Sequence, residues 1–146
     1  MFRYVDESEK VRAVSPGQVN AYLKSATDRK FSAKDFRTWG GTLLAALRLA
    51  DIGPAEEENE IKKNIVRAVK HVAEELGNTP AVCRSSYIHP AVLQAYERGV
   101  TLDDFRPRKS RSIRLISTGL VPEEAALIRM FGSVGSSTAS TAAASR

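Results

Sequence analysis

Residues 56–77 read EEENEIKKNIVRAVKHVAEELG, and this stretch decides the class of fold. Ile61, Ile65, Val69, Val72 and Leu76 recur three and four apart, which is one stripe of an α-helix. Glu56, Glu57, Glu58 and Glu60 crowd the first turns, where the positive end of the helix dipole favours acids. Glu58 and Lys62 stand four apart in the favourable order. Gly77 is placed to end the helix in a left-handed cap.

A helix with so regular a stripe must bury it, and the flanking sequence supplies partners. Upstream, a second helix starts near Ser32 or Ala33, with Phe36, Trp39, Leu43, Leu44 and Leu47 on one face, and Gly53-Pro54 ends it. Gly40 and Gly41 weaken that helix by about 1 kcal/mol each relative to Ala, so the pair suggests close backbone packing. Ser15-Pro16 reads as the cap and first residue of a shorter helix with Val19, Tyr22 and Leu23 on its apolar face. Residues 2–5 and 11–14 are β-prone and flank an acidic turn, Asp6–Lys10, so they are expected to pair as a hairpin. Downstream, Thr79-Pro80 opens a short turn toward Tyr87. Pro90 opens a helix carrying Val92, Leu93 and Tyr96, ended by Gly99, and Pro122-Glu123-Glu124 starts a last helix to about residue 130. The fold class is mainly α with a small β-hairpin at the N-terminus. Residues 1–132 form the folded part, with the β element over 2–14, and the Ser/Thr/Ala-rich residues 133–146 are expected to be a disordered tail.

Composition narrows the function classes. The chain has 146 residues, a formal net charge of +5, 42% apolar and 27% charged residues, an ordinary globular mix for about one domain. Its pI near 9.6 favours a polyanionic partner. One cysteine excludes an internal disulfide framework. Cys83, His71 and His89 lack zinc-finger spacing, so no metal is expected, and Cys83 reads as a small apolar filler. No GxxxxGK[ST] or GxGxxG loop is present. No apolar run reaches the ~18–20 residues of a membrane span, and the N-terminus has no apolar secretory core. The expected setting is the cytoplasm.

Three places offer chemistry, each with a plainer explanation beside it. Lys34 and Arg37 are three apart on a helix and share a face, so Arg37 is fixed as a guanidinium suited to bidentate phosphate binding. A solvated helix face explains the same pair. Asn78, between Gly77 and Thr79-Pro80, is held at a helix end where it can donate to a ligand, though capping alone accounts for it. Tyr87 is a possible nucleophile, but its chemistry does not distinguish it from Tyr4, Tyr22 and Tyr96. Arg106, Arg108, Lys109, Arg111 and Arg114 form a basic cluster, which reads either as a phosphate-binding surface or as a solvated linker.

Taken in order, Lys34-Asp35-Phe36-Arg37-Thr38-Trp39-Gly40-Gly41-Thr42, Leu76-Gly77-Asn78-Thr79-Pro80-Ala81-Val82-Cys83 and Arg84-Ser85-Ser86-Tyr87-Ile88-His89-Pro90 resemble the catalytic domain of the bacterial, poxvirus-like type IB DNA topoisomerases. Phe2-Arg3-Tyr4-Val5 and Val19-Asn20-Ala21-Tyr22-Leu23 look like the same family, and the resemblance runs from about Met1 to Val100. It implies the C-terminal part of the catalytic fold that these enzymes share with tyrosine recombinases. It also implies relaxation of supercoiled double-stranded DNA by a monomer, through a 3′-phosphotyrosyl intermediate, without ATP, metal or other cofactor.

By the resemblance Tyr87 is the nucleophile, Arg37 holds a non-bridging oxygen of the scissile phosphate, Asn78 donates to the same phosphate, and Lys34 is a phosphate contact. Fixed donors suit this chemistry, because attack on a phosphodiester builds charge on the non-bridging oxygens. The family's first arginine and its general-acid lysine belong upstream of the matched region. The chain is therefore expected to be a fragment that, by itself, relaxes DNA poorly or not at all. Two alternatives stand beside this reading. A tyrosine recombinase or integrase shares the nucleophile but usually carries His-x-x-Arg where this chain has Lys34-x-x-Arg37. A non-catalytic DNA-binding remnant would rest on the basic cluster.

Overall fold

The computed structural model describes residues 3–27, 29–106 and 120–142. It is mainly helical, with a two-stranded antiparallel sheet at the N-terminus. The chain divides into two compact units, Met1–Arg37 and Thr38–Arg146.

In the first unit β1 (Arg3–Val5) pairs with β2 (Val11–Ala13) in the register Arg3↔Ala13, Tyr4↔Arg12 and Val5↔Val11. Asp6 organises the connecting turn. Its Oδ1 accepts from the Ser8 and Lys10 amides, both at 3.0 Å, and from the Ser8 hydroxyl at 2.7 Å. Its Oδ2 pairs with the Arg12 guanidinium. These donors, Arg12 first, hold the Asp6 carboxyl down at about 2 against an ordinary 3.8. Helix α1 (Pro16–Thr27) starts at a capping box: the Ser15 hydroxyl accepts from the Gln18 amide at 3.2 Å, and the Ser15 amide donates to Gln18 Oε1 at 2.9 Å. The expected apolar face of α1 is not buried, and Tyr22 is 70% exposed. Among the described residues this unit buries no side chain, as expected for a segment too short to enclose a core.

Helix α2 (Ala33–Ile52) begins at Ser32, whose amide and hydroxyl both donate to Asp35 Oδ2. The buried side of α2 differs from the one expected from its large residues. Gly41, Thr42, Ala45, Ala46, Leu49 and Ala50 are buried, whereas Trp39, Leu43, Leu44 and Leu47 are half-buried at the margin of the core. Phe36 is 52% exposed and meets Phe31 edge-on instead of entering the core. The small residues win the interior because they let helix backbones approach closely, and the bulky ones then close the sides.

Helix α3 (Glu58–Leu76) buries Ile65, Ala68, Val69, Val72 and Ala73 together with the polar Asn64. It ends as expected at Gly77, whose φ of 61° is left-handed, and the Asn78 amide then donates to the Ala73 carbonyl at 2.9 Å. After the tyrosine turn described below, α5 (Pro90–Glu97) adds Val92, Leu93, Ala95 and Tyr96 to the core, and a 3-10 turn over Leu102–Phe105 adds Leu102. Tyr96 is 1% exposed, and its hydroxyl donates to the Gly53 carbonyl at 2.7 Å and accepts from Asn64 Nδ2 at 3.0 Å. That pairing explains how a core can hold an asparagine.

Helix α6 (Pro122–Ala142) inserts Ala126, Leu127 and Met130 into the core. Glu124 links it to α2, accepting from the Trp39 indole at 2.9 Å with one oxygen and from the Val121 amide at 3.1 Å with the other. The helix continues through residues 133–142, where the sequence suggested the start of a disordered tail. Alanine is the best helix former, and the two alanines of that segment, Ala139 and Ala142, continue a helix already anchored by tertiary packing. Residues 143–146 lie outside the described residues, as do Arg108, Lys109, Arg111 and Arg114 of the basic cluster. Arg106, the cluster's described member, pairs with Asp103 at 2.7 Å.

Candidate active site

The segment from Thr79 to Pro90 is a tight helical turn pinned at both ends. Thr79 caps it, its hydroxyl accepting from the Val82 amide at 3.3 Å, and Pro80 fills the first position of α4 (Pro80–Val82). The chain then widens into a π-helical turn over Cys83–Tyr87, closed by the Ile88 amide donating to the Cys83 carbonyl at 3.0 Å. Single π turns are uncommon and recur at functional sites. Here the two closing residues, Cys83 and Ile88, are buried in the core, while Arg84, Ser85 and Ser86 are exposed and Tyr87 is half-buried. The core thus holds the ends of the turn and the turn presents its middle outward. Burial of Cys83 agrees with its reading as an apolar filler.

His89 closes the segment. Its Nδ1 accepts from the Ala91 amide at 3.2 Å, capping α5, and its ring lies 4.9 Å from that of Phe131 on α6. Acceptance at Nδ1 places the proton of the neutral ring on Nε2.

Helix α2 forms the floor beneath this turn. A Cβ added at Gly41 would stand 2.8 Å from the Tyr87 carbonyl oxygen, 3.3 Å from Tyr87 Cβ and 3.1 Å from Leu76 Cδ1. Gly40, by contrast, faces open space. The end of α3 and the tyrosine turn therefore converge on Gly41, and the close packing suggested by the glycine pair belongs to its second member. The Thr42 hydroxyl accepts from the His89 amide at 3.0 Å, and the Thr38 hydroxyl donates to the Ser86 carbonyl at 3.4 Å.

Of the candidate residues, Asn78 and Tyr87 lie in the second unit, on the two segments that meet at Gly41. Asn78 is half-buried just past the C-cap of α3, and its side-chain amide donates to the Leu76 carbonyl at 3.2 Å. Lys34 and Arg37 belong to the first unit, exposed on the opening turn of α2. The carboxylate of Asp35, between them, is held below its ordinary range, chiefly by the Ser32 hydroxyl. The four tyrosines now separate: Tyr96 is buried with its hydroxyl engaged twice, Tyr22 projects from α1, and the Tyr4 hydroxyl accepts from Gln18 Nε2 at 3.2 Å. Tyr87 combines a constrained backbone with partial exposure.

Sequence reasoning did not assign Thr42 or the π turn. Thr42 stood in a quoted motif without a role, and the i→i+5 bond has no sequence signal comparable to a cap or a period. Among the described residues no group of three or more His, Cys, Asp or Glu side chains is placed to hold a metal ion, and no helix is long and apolar enough to cross a membrane.

Residues 3–109 match the eukaryotic DNA topoisomerase I catalytic core. The chain is similar to a DNA topoisomerase 1B of Acanthamoeba polyphaga mimivirus, at 33% identity over 104 residues, 66% of this chain and 31% of that protein. Helix α6, which completes the core, lies beyond the matched residues. With most of its length matched to that core, from the hairpin through the tyrosine turn, the chain belongs to the type IB DNA topoisomerase family.

Proposed function

We propose that this chain carries the tyrosine part of a poxvirus-like type IB active site acting on double-stranded DNA, within a partial catalytic domain formed by residues 1–132. Tyr87 Oη attacks the scissile phosphorus, an Oη–P bond forms and the P–O5′ bond breaks. The phenolic proton is lost and the departing 5′ oxygen takes one up. Religation reverses each change, so the linkage energy is retained and no ATP is needed. Arg37 and Asn78 stabilise the charge that develops on the non-bridging oxygens, and Lys34 contacts the phosphate backbone.

The observation that carries this reading is the π turn. It fixes the tyrosine backbone between two core anchors, Cys83 and Ile88, while leaving Tyr87 half-exposed. A nucleophile needs that combination, because the reacting atoms must be held near the attack geometry and still be reached by substrate. Membership in the topoisomerase family favours this chemistry over recombination.

The test uses a pool of duplexes with randomised flanks around one linkage whose bridging 5′ oxygen is replaced by sulfur. A thiolate leaves with a conjugate acid of pKa ~8.5 and so does not depend on a general acid. The expected result is an adduct that survives denaturation and maps by mass spectrometry to Tyr87. Tyr87→Phe should abolish it, and Arg37→Ala should slow its formation by about 10²–10³. No adduct from the wild-type chain, or an adduct that persists in Tyr87→Phe, refutes the assignment.

A further inference from the structure

We propose that Thr42 is a positioning residue for Tyr87, acting together with the bare backbone at Gly41. The proposal rests on the nucleophile assignment above and adds a device that sets where the nucleophile stands. Thr42 is 2% exposed, so its hydroxyl has no water to satisfy it. It donates to the Thr38 carbonyl one turn back at 2.6 Å, with the Tyr87 carbonyl at 3.3 Å as the longer alternative acceptor. It accepts from the His89 amide at 3.0 Å. Donation to one carbonyl strengthens a hydroxyl as an acceptor, so the bond from His89 gains from the bond to Thr38.

The result is a fixed depth for the tyrosine turn. From the far side of Tyr87, Thr42 holds the His89 amide; from the near side, Thr38 reaches the Ser86 carbonyl. Between them the Tyr87 carbonyl rests where a Cβ at Gly41 would intrude to 2.8 Å. The π turn fixes the local path of the chain through the bond from Ile88 to Cys83, and the buried Cys83 and Ile88 hold its ends. The contacts from α2 add a direct hold on the backbone of Ser86, Tyr87 and His89. An in-line attack is sensitive to displacements near 1 Å, so a loosened turn should lose rate without losing affinity for DNA.

Three variants of the full chain separate this role from packing. Thr42→Val keeps the shape and deletes the hydroxyl, Thr42→Ser keeps the hydroxyl and deletes the methyl, and Gly41→Ala pushes on the Tyr87 carbonyl. Adduct formation on the sulfur-bridged duplexes is expected to slow at least tenfold in Thr42→Val and Gly41→Ala, and to stay within about threefold of wild type in Thr42→Ser. DNA affinity, read by fluorescence anisotropy, should stay within twofold in all three. Amide hydrogen exchange gives a readout that does not require catalysis: the His89 amide should exchange at least tenfold faster in Thr42→Val, while the amides of α3 keep their wild-type protection.

Wild-type rates in both Thr42→Val and Gly41→Ala overturn the proposal. Equal slowing in Thr42→Val and Thr42→Ser also overturns it, because the methyl rather than the hydroxyl would then matter. Should Thr42→Val unfold, Gly41→Ala and Thr42→Ser still decide through their rates. If the wild-type chain forms no adduct, the nucleophile reading fails, and the clamp is judged by His89 exchange: unchanged protection in Thr42→Val refutes it.

Discussion

Tyr96→Phe removes one oxygen from the centre of the second unit, and the structure sets the cost. The hydroxyl joins three elements: it sits on α5, donates to the Gly53 carbonyl at the end of α2, and accepts from Asn64 on α3. Each hydrogen bond contributes about 1 kcal/mol net, and a buried partner left without one adds about 1–3 kcal/mol. Asn64 is 3% exposed and has little access to water, so the desolvation penalty of its amide should apply in large part. Phenylalanine fills the same volume and recovers a fraction of this through its more apolar ring. The expected loss is about 2–4 kcal/mol, a large share of the ~5–15 kcal/mol that stabilises an ordinary domain. Urea unfolding followed by Trp39 fluorescence should show a lower midpoint with an unchanged slope. Asn64→Leu supplies the partner for a double-mutant cycle. Once the hydroxyl is gone the amide has nothing to donate to, so the two losses should fall short of additive by about 1 kcal/mol. A Tyr96→Phe loss below about 0.5 kcal/mol, or strict additivity with Asn64→Leu, refutes the assignment of a structural role to this hydroxyl.

Other outcomes follow from particular contacts. Glu124→Ala removes the acceptor of the Trp39 indole and the cap of the Val121 amide together, so it should cost about 1–2 kcal/mol in urea unfolding and red-shift the Trp39 emission. Unchanged emission would contradict the tie between α2 and α6. The Asp6 carboxyl is depressed from 3.8 to about 2, chiefly by Arg12. A depressed folded-state pKa means its contribution to the hairpin is complete above the ordinary value and is lost as pH falls through the lower one. The Ser8 and Lys10 amide resonances should therefore titrate with a midpoint near 2, and a midpoint at the ordinary carboxyl value would show that Arg12 does not hold it.

Much of the fold was legible because its signals are local. The helix α3 follows from its apolar period and its acidic first turn, Gly77 from the need for a left-handed cap, and the starts at Ser15-Pro16, Thr79-Pro80 and Pro90 from capping chemistry. The readings that failed concern burial, which is a tertiary property. Phe36 is as apolar as any core residue, yet it lies at the exposed start of α2. The burial of the polar Asn64 is a feature the sequence reading did not address, and it depends on Tyr96, 32 residues away in sequence and 3.0 Å away in space. No window of sequence contains both members of that pair.

The same divide runs through the candidate site. Residue chemistry alone leaves Asn78 explained by capping and Tyr87 level with Tyr4, Tyr22 and Tyr96, so the resemblance of the motifs is what nominates both; the structure adds the π turn and the partial exposure that set Tyr87 apart. Gly40 and Gly41 are indistinguishable as letters. They are adjacent on one helix, and the ~100° between successive residues turns one toward open space and the other onto the Tyr87 carbonyl. The value of Gly41 lies in the atom it lacks, and that becomes visible only when the opposing carbonyl is in place. Thr42 follows by the same logic. Its hydroxyl matters because α2 carries it to the His89 amide, and a threonine one residue earlier or later would face elsewhere. On the proposed reading, a phosphotyrosyl transfer would draw its chemistry from a few reactive side chains and its precision from unreactive ones, a glycine and a threonine, whose contacts exist only in the packed structure.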